Sequence, residues 1–345
     1  VGLLVSKRGE QADGQRARAR LKKAGLDTVT SIFGGECSLE EIEQRVDHLR
    51  DESVECLIAM GGGKCVDAGK SIAWRLGVPV VVVPTLASND APCSAVSVLY
   101  TPEGVNSGVE FFPENPAMVI VDTKTVADAS ERYLVAGMGD AMATWYEARV
   151  CLANPNARSV LGGRPTLAAG AIGEVCAGTL YEEGIAAARA VADGKVDESL
   201  EKVVEANTLL SGIGFESGGL AVAHAIAQSY TAVPVVHDNY LHGEMVAMGT
   251  LTQLVMASVE EAKRAATFFA RVGLPITLEQ ISLGAKDQAA LDTAVEVAMV
   301  FPMVHKMPMT VTADFMRESI MNADEIGRAV MKTEGDDAYR KLHQD

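Results

Sequence analysis

The chain has 345 residues, 48% of them hydrophobic, and a formal net charge of −16 at pH 7. This length predicts two domains with sizeable apolar cores. The acidic balance argues against nucleic acid and anionic membranes as partners, because both bind clustered positive charge. Six scattered cysteines form no C-x-x-C pair, and there is neither a signal-peptide pattern nor a run of about 18 apolar residues. These features are typical of a soluble cytoplasmic protein with reduced thiols.

The first part of the chain alternates predicted strands and helices. Strands are expected at residues 2–5, 28–33, 56–60, 78–83 and 117–121, and helices at residues 11–24, 39–51 and 64–76. Ser38, with Glu41 three residues later, has the pattern of a helix-capping box. Residues 97–100 and 109–112 are expected to pair as a small hairpin. The alternation predicts a doubly wound α/β domain with a mostly parallel sheet over residues 1–123.

The remaining sequence has a helical pattern. Ala-rich amphipathic segments predict helices at about residues 138–152, 166–192, 197–212, 217–229, 242–258, 260–271, 287–297 and 323–334. No long β-branched run interrupts them. We therefore expect an all-α second domain over residues 124–345, with the active site in the cleft between the two domains.

Three consecutive glycines, at positions 61 to 63, follow the predicted strand at residues 56–60 and precede a helix. Glycine lacks a Cβ atom, so the backbone can turn sharply and approach a ligand closely. The free N–H groups of a helix N-terminus favour a phosphate, and Lys64 adds positive charge. The same pattern also fits a tight strand-to-helix turn that binds nothing.

Two nucleotide-binding motifs come close to matching this turn. Gly69, Lys70 and Ser71 resemble the end of a P-loop, but that motif requires glycine at position 64, where the chain has lysine. A G-x-G-x-x-G motif fails because position 66 is valine. A nucleotide-binding NTPase, with a Walker-B-like run at residues 119–122, is nevertheless one alternative.

A polar loop at residues 84–104 follows the predicted strand at 78–83. Open α/β sheets bind ligands at the carboxyl ends of their strands, so the position predicts a binding loop. Its polar side chains, which also suit a solvated turn, include Thr85, Ser88, Asn89, Asp90 and Ser94.

The helical part contains three candidate metal ligands. Asp140, in GMGDAMATWYEAR, is expected at the start of a helix, His224 inside an apolar helix, and His242 at the start of another. Two imidazoles and a carboxylate can hold Zn²⁺ and leave a fourth position open. Each residue taken singly also fits a structural role, such as a helix N-cap for Asp140. His237, in a segment predicted as a loop, is a rival ligand.

Six segments in a fixed order carry a family resemblance: FGGECS, MGGGKCVDAGKS, VVVPTLASNDAPCSAVSVLYTPEG, GMGDAMATWYEAR, ESGGLAVAHAI and HGEMVAMGTL. Together they resemble the glycerol dehydrogenases, a zinc-dependent branch of the iron-containing alcohol dehydrogenase superfamily. They cover most of the chain from about residue 33 to residue 255. The resemblance implies the dehydroquinate synthase-like fold of that superfamily, with an NAD-binding α/β domain and a helical metal- and substrate-binding domain.

The resemblance also implies site residues. It assigns NAD binding to Gly62, Gly63, Lys64, Thr85, Ser88, Ser94, Val96 and Tyr100. It assigns one Zn²⁺ per subunit to Asp140, His224 and His242. It places Asp90 near the nicotinamide and the substrate. The implied substrate contacts are Asp90, Asp140 and His224. The implied catalytic residues are Asp90, Asp140, His224 and His242.

The implied activity is NAD-dependent oxidation of glycerol, or a related vicinal diol, at C2 to dihydroxyacetone. The implied partners are this small-molecule substrate and further copies of the chain, in a homo-oligomer that can be an octamer. A second alternative is another metal-dependent polyol dehydrogenase of the superfamily. The chain departs from the family in one place, since the aspartate expected after the first strand, for the adenosine ribose, is missing. Lys7 and Arg8 stand there instead, which leaves NADP open beside NAD.

Overall fold

The computed structural model of the chain describes residues 1–284 and 287–344. Its contacts divide the chain into two compact units, Val1–Ala129 and the part from Ser130 onward. Within the described residues, every β-strand lies in the first unit, and the second unit is helical. The predicted combination of an α/β part and an all-α part is therefore confirmed.

The first unit is built on a five-stranded parallel sheet in the order β2-β1-β3-β4-β7. Strands β5 and β6 form a separate antiparallel hairpin. The strands of the unit are β1 (Gly2–Ser6), β2 (Val29–Phe33), β3 (Leu57–Gly61), β4 (Val80–Pro84), β5 (Val96–Tyr100), β6 (Asn106–Phe111) and β7 (Met118–Val119). Its α-helices are α1 (Lys7–Gly9), α2 (Gln15–Lys23), α3 (Leu39–Arg50), α4 (Gly63–Leu76) and α5 (Thr123–Ala127). The predicted hairpin is confirmed.

The centre of the sheet is buried on both faces. Leu3, Leu4 and Val5 of β1 have no exposed surface, as expected for a parallel strand covered by helices on both sides. Helix α4 packs against β3 so closely that a Cβ atom on Gly69 would lie 2.3 Å from the Cβ atom of Ala59. This packing fixes the turn between β3 and α4.

One predicted strand boundary and one predicted helix cap in this unit differ from the structure for local reasons. The strand predicted from residue 78 begins at Val80, because the Val78 amide closes the C-terminal turn of α4 by donating to the Ala73 carbonyl. The capping box before α3 is only half formed. Ser38 Oγ accepts from the Glu41 amide at 3.2 Å, but the Glu41 carboxylate accepts from the Gly34 amide at 2.7 Å. The side chain of Glu41 therefore ties the helix to the preceding loop.

The described residues of the second unit form helices and the segments that connect them. Its α-helices are α6 (Glu131–Ala153), α7 (Leu167–Ala192), α8 (Glu198–Glu205), α9 (Ser211–Gly218), α10 (Val222–Tyr230), α11 (Pro234–His237), α12 (His242–Val255), α13 (Val259–Val272), α14 (Gln288–Val300), α15 (Ala313–Glu334) and α16 (Asp337–His343). No single helix in the described part of the chain is long and apolar enough to cross a membrane. The pair Glu198–Gly218 and Val222–Tyr230 reaches that length and apolarity only when its halves are joined across a 108° bend.

Two helix predictions around the candidate ligands are wrong. The helix predicted at residues 138–152 begins at Glu131, so Asp140 lies in its middle and is not an N-cap. The helix predicted at residues 217–229 is broken at Gly219, whose φ of +98° suits glycine and not residues with a Cβ atom. Helix α10 starts after this break, which places His224 near a helix N-terminus.

Candidate metal and cofactor sites

Three helices of the second unit bring the predicted metal ligands together. Asp140 lies in the middle of α6, His224 is the third residue of α10, and His242 is the first residue of α12. One potential ligand atom from each lies within 4.8 Å of the other two. Asp140 Oδ1 is 3.5 Å from His224 Nε2 and 3.4 Å from His242 Nε2. Residues far apart in sequence thus converge on one point.

Close backbone packing makes this convergence possible. A Cβ atom on Gly243, next to His242, would lie 1.8 Å from the carbonyl oxygen of Ala136 in α6. A Cβ atom on Gly249 would lie 2.1 Å from the carbonyl oxygen of Ala223 in α10. Only glycine permits these approaches, since a real Cβ atom would overlap the carbonyl group. The two glycines of α12 therefore hold it against both helices that carry the other ligands.

The donor set fits a divalent metal ion. In a tetrahedral site with metal–ligand bonds of about 2.0–2.1 Å, neighbouring ligand atoms lie about 3.4 Å apart, close to the two distances from Asp140 Oδ1. The side chain of Asp140 is fully buried and that of His224 is 7% exposed, whereas that of His242 is 31% exposed. A metal held here would be reached from the side of His242. Three protein ligands and an accessible side are the pattern of a catalytic metal site.

Electrostatic interactions differ between the two imidazoles. Burial lowers the pKa of His224, but the carboxylates of Glu147 and Asp140 outweigh burial and hold that pKa well above its ordinary value. Burial also lowers the pKa of His242, and there Asp140 opposes the effect only in part. The site thus concentrates negative charge around His224, which suits a cation.

A second buried carboxylate fixes the start of α12. Glu244, two residues after His242, accepts hydrogen bonds from Arg132 Nε at 2.7 Å and from the Leu241 amide at 2.8 Å, and its Oε1 is 3.0 Å from His343 Nε2. Burial raises the pKa of Glu244, but the hydrogen bonds from Arg132 and His343 bring it below the ordinary value. The carboxylate is therefore held in its charged form, and it anchors the helix that carries His242.

The rival ligand, His237, is not part of the cluster. It is the last residue of the short helix α11, where a loop was predicted, and its Nδ1 atom lies 2.9 Å from Asp238 Oδ1. In the described part of the chain, the group that could hold a metal consists of Asp140, His224 and His242. His237 therefore offers a natural control for experiments on this site.

In the first unit, several of the predicted cofactor residues lie at the turn between β3 and α4. Gly62 is the N-cap of α4, and Gly63 is its first residue. A Cβ atom on Gly63 would lie 2.0 Å from Asn89 Nδ2, so the polar loop lies directly against the turn. Lys64 pairs with Glu36, and its Nζ atom lies 5.0 Å from the centre of the Tyr100 ring. These contacts bring the glycine turn, the polar loop and β5 together.

The other predicted residues of the polar loop follow β4. The Thr85 amide donates to the Gly61 carbonyl at 3.0 Å, which joins the loop to the end of β3. Ser88 and Asp90 lie further along, both half-buried. Asp90 belongs to the first unit, and the three candidate metal ligands belong to the second.

The lysine of the incomplete P-loop motif has a different role. Lys70 is buried, and its Nζ atom donates to the carbonyl of Ala91 at 2.8 Å and also to that of Val96. Its charge is paired with Asp67 Oδ1 at 2.9 Å, and Ser94 Oγ lies 3.3 Å away. A lysine held in this way cannot extend to a phosphate, which argues against the NTPase alternative. Lys70 instead fixes the part of the loop that contains Ser94 and Val96.

One functional candidate, Glu147, was missed from the sequence. Its buried side chain lies 2.6 Å from His224 Nδ1. The available signal was its spacing, because residues seven apart on a helix lie on the same face, and Glu147 is seven residues after Asp140. This spacing indicates a shared helix face but does not by itself indicate that the carboxylate is buried.

Comparisons with known proteins agree with this architecture. A sequence model of the family described as "Iron-containing alcohol dehydrogenase" matches residues 2–123. The glycerol dehydrogenase of Escherichia coli is 47% identical over 318 residues, covering 90% of this chain and 85% of the relative. That of Thermotoga maritima is 46% identical over 305 residues, covering 86% of this chain and 82% of the relative.

A solved structure shows the same fold. The crystal structure of glycerol dehydrogenase from Schizosaccharomyces pombe matches with a TM-score of 0.90 at 34% sequence identity, covering 97% of this chain and 85% of that one. This similarity confirms the predicted fold. Taken with the sequence relatives, it shows that the chain belongs to the iron-containing alcohol dehydrogenase family.

Proposed function

We propose that this protein catalyses the NAD-dependent oxidation of glycerol at C2 to dihydroxyacetone. The observation that carries the proposal is the convergence of Asp140, His224 and His242, in a chain 47% identical to a glycerol dehydrogenase. In this reaction the C2–H bond of glycerol breaks and its electron pair passes as hydride to NAD⁺. The hydroxyl proton is released, and the products are dihydroxyacetone and NADH.

Zinc is the metal proposed for the cluster. Two imidazole nitrogens and one carboxylate oxygen form a ligand set that catalytic zinc commonly uses. A divalent ion held there supplies Lewis acidity, which lowers the pKa of a substrate hydroxyl group near it. Asp140 and His224 fix the buried side of this position, and the partly exposed His242 borders the side open to substrate.

NAD is the proposed cofactor, and the turn after β3 is its proposed phosphate site. The amide groups at the start of α4, with Gly62 and Gly63, suit a pyrophosphate. Lys64 adds positive charge at the same place. The other residues proposed to contact the cofactor are Thr85, Ser88, Ser94, Val96 and Tyr100, and Asp90 is proposed to lie near the nicotinamide and the substrate. The homo-oligomer stays a prediction, which sedimentation analysis of the purified protein would test.

A pair of variants tests the metal assignment. His242→Ala removes one ligand of the cluster, so we expect loss of bound zinc together with loss of NADH formation from glycerol. His237→Ala is the matched control, because it removes an imidazole five residues away that lies outside the cluster. We expect it to keep both zinc and activity. An active His242→Ala variant free of metal would contradict the proposal.

A further inference from the structure

A single buried carboxylate contacts both the side chain and the backbone of His224. Glu147, on α6, has no exposed surface. Its Oε2 atom lies 2.6 Å from His224 Nδ1. Its Oε1 atom accepts from the amide groups of Ala221 at 2.7 Å and His224 at 3.0 Å. Both oxygens are therefore engaged by the same short segment of chain.

This carboxylate replaces a missing helix cap. The N-cap residue of α10 is Ala221, which has no side-chain oxygen to accept from the first amide groups of the helix. Glu147 accepts from two of these groups, and Gln253 Oε1 accepts from the Ala223 amide at 3.0 Å. Gln253 also donates to the Tyr146 carbonyl, which neighbours Glu147 in sequence. Side chains from α6 and α12 thus hold the N-terminus of α10.

The two ring nitrogens of His224 face different groups. Nδ1 faces Glu147, whereas Nε2 faces Asp140 Oδ1 at 3.5 Å within the candidate metal cluster. A carboxylate can only accept hydrogen bonds, so a contact with Glu147 requires a proton on Nδ1. The neutral imidazole then carries its lone pair on Nε2, the atom that faces the cluster.

We propose that Glu147 is a positioning residue for the metal ligand His224. It holds the proton on Nδ1, directs Nε2 toward the metal, and fixes the helix start from which the imidazole projects. The inference rests on the proposed metal site, and it assigns to Glu147 a role in metal affinity beyond helix capping. Hydrogen-bond partners of this kind typically change metal affinity by about 10-fold to 100-fold when mutated.

The variant Glu147→Gln separates the two roles of this side chain. Glutamine has the same shape, and its oxygen can still accept from the amides of Ala221 and His224. Its NH₂ group then faces Nδ1 and donates to it, which moves the imidazole proton to Nε2 and blocks metal binding. The opposite orientation would set the NH₂ group against two backbone donors. The first orientation is therefore favoured, because it preserves the caps.

The experiment measures Zn²⁺ affinity by competition with a chromophoric chelator, and stability by denaturant unfolding of the metal-free protein. For Glu147→Gln we expect zinc binding weakened about 10-fold to 100-fold, with the unfolding midpoint close to that of the wild type. The matched control is Gln253→Ala. This change removes the other side chain that caps α10, whose hydrogen bonds go to the backbone of Ala223 and Tyr146 and not to the imidazole. We expect a lower unfolding midpoint but zinc affinity within about threefold of wild type, which is below the range of about 10-fold to 100-fold for lost metal-site partners.

Three other outcomes have distinct meanings. Unchanged zinc affinity in Glu147→Gln would overturn the positioning role and leave the metal site intact. Absence of zinc binding to the wild-type protein would overturn the metal assignment itself and, with it, this inference. If Glu147→Gln fails to fold, solid-state NMR of the zinc-loaded wild-type protein, labelled with ¹⁵N at histidine, decides the question. A proton on His224 Nδ1 supports the inference, whereas coordination of the metal by Nδ1 overturns it.

Discussion

Gly243 lies so close to Ala136 that a Cβ atom on the glycine would come within 1.8 Å of the alanine carbonyl oxygen. Gly243 directly follows His242 in α12. Ala136 precedes Asp140 by four residues in α6, so the two lie on the same face of that helix. The approach of the two backbones at this point sets the distance between two of the three candidate metal ligands.

The variant Gly243→Ala should therefore damage both stability and metal binding. The added methyl group forces α6 and α12 apart, and we expect a loss of about 1–3 kcal/mol in the free energy of unfolding, as for other overpacked sites. Zinc affinity should fall as well. The control is Gly178→Ala in α7, where, among the residues that the structure describes and apart from the adjacent backbone of α7, no heavy atom lies within 4 Å of the new Cβ atom. We expect it to stabilise the protein by up to about 1 kcal/mol.

Lys70→Met should destabilise the first unit. The change removes a buried ammonium group from the carbonyls of Ala91 and Val96 and leaves the carboxylate of Asp67 without its charge partner. Breaking a buried pair in this way costs about 3–5 kcal/mol.

Denaturant unfolding measures the loss in the free energy of unfolding caused by Lys70→Met. Calorimetric titration with NAD⁺ should also show weaker binding, because the loop with Ser94 and Val96 is no longer fixed. Lys124→Met, which breaks an exposed pair with Asp128, should change unfolding by less than about 1 kcal/mol. Equal effects of the two variants would contradict the role given to Lys70.

A pair of charged residues joins α6 to α13 and gives a pH-dependent contribution to stability. Hydrogen bonds from Arg149 are the main reason that the pKa of Glu261 lies below its ordinary value. A carboxyl group with a lowered pKa stabilises the folded state above the pKa of the unfolded chain, about 4.3. This contribution is lost as the pH falls through the lower, folded-state value.

The variant Arg149→Gln tests this contribution. At neutral pH we expect a loss below about 1 kcal/mol, because both side chains are about one-third exposed and the pair is screened by solvent. Urea unfolding in a series of buffers from neutral to acidic pH should show the difference from wild type shrinking as the pH falls. A difference that grows toward acidic pH would contradict the assignment.

Patterns along the chain were enough to predict the parallel sheet and to select the three candidate metal ligands that the structure brings together, because both predictions rest on local signals. Runs such as Val80–Val83 are typical of buried strands, and the ligands lie in segments that resemble a known family. The position of Asp140 within its helix could not be predicted in this way. Gly139 looks like a helix boundary in sequence, but in the structure it lies inside α6, where a Cβ atom on it would come within 2.3 Å of the Gly243 carbonyl oxygen.

Interactions between distant segments were beyond the sequence patterns. Whether Glu147 is exposed or buried depends on the packing of α10 against it. The contact residue in α10, His224, lies 77 residues later in the chain. The side chain of Lys70 is similarly surrounded by a loop more than 20 residues later. Local propensity does not encode such contacts, so both residues would be taken for ordinary helix-surface charges.

Metal dependence and glycerol oxidation are tested together by measuring NADH formation from glycerol before chelation, after removal of metal by a chelator, and after zinc is restored. We expect activity that disappears on chelation and returns with Zn²⁺, because Asp140, His224 and His242 are proposed to hold the ion. Absence of activity in fully zinc-loaded protein, with either NAD⁺ or NADP⁺, would contradict glycerol oxidation while leaving the fold and the family unchanged.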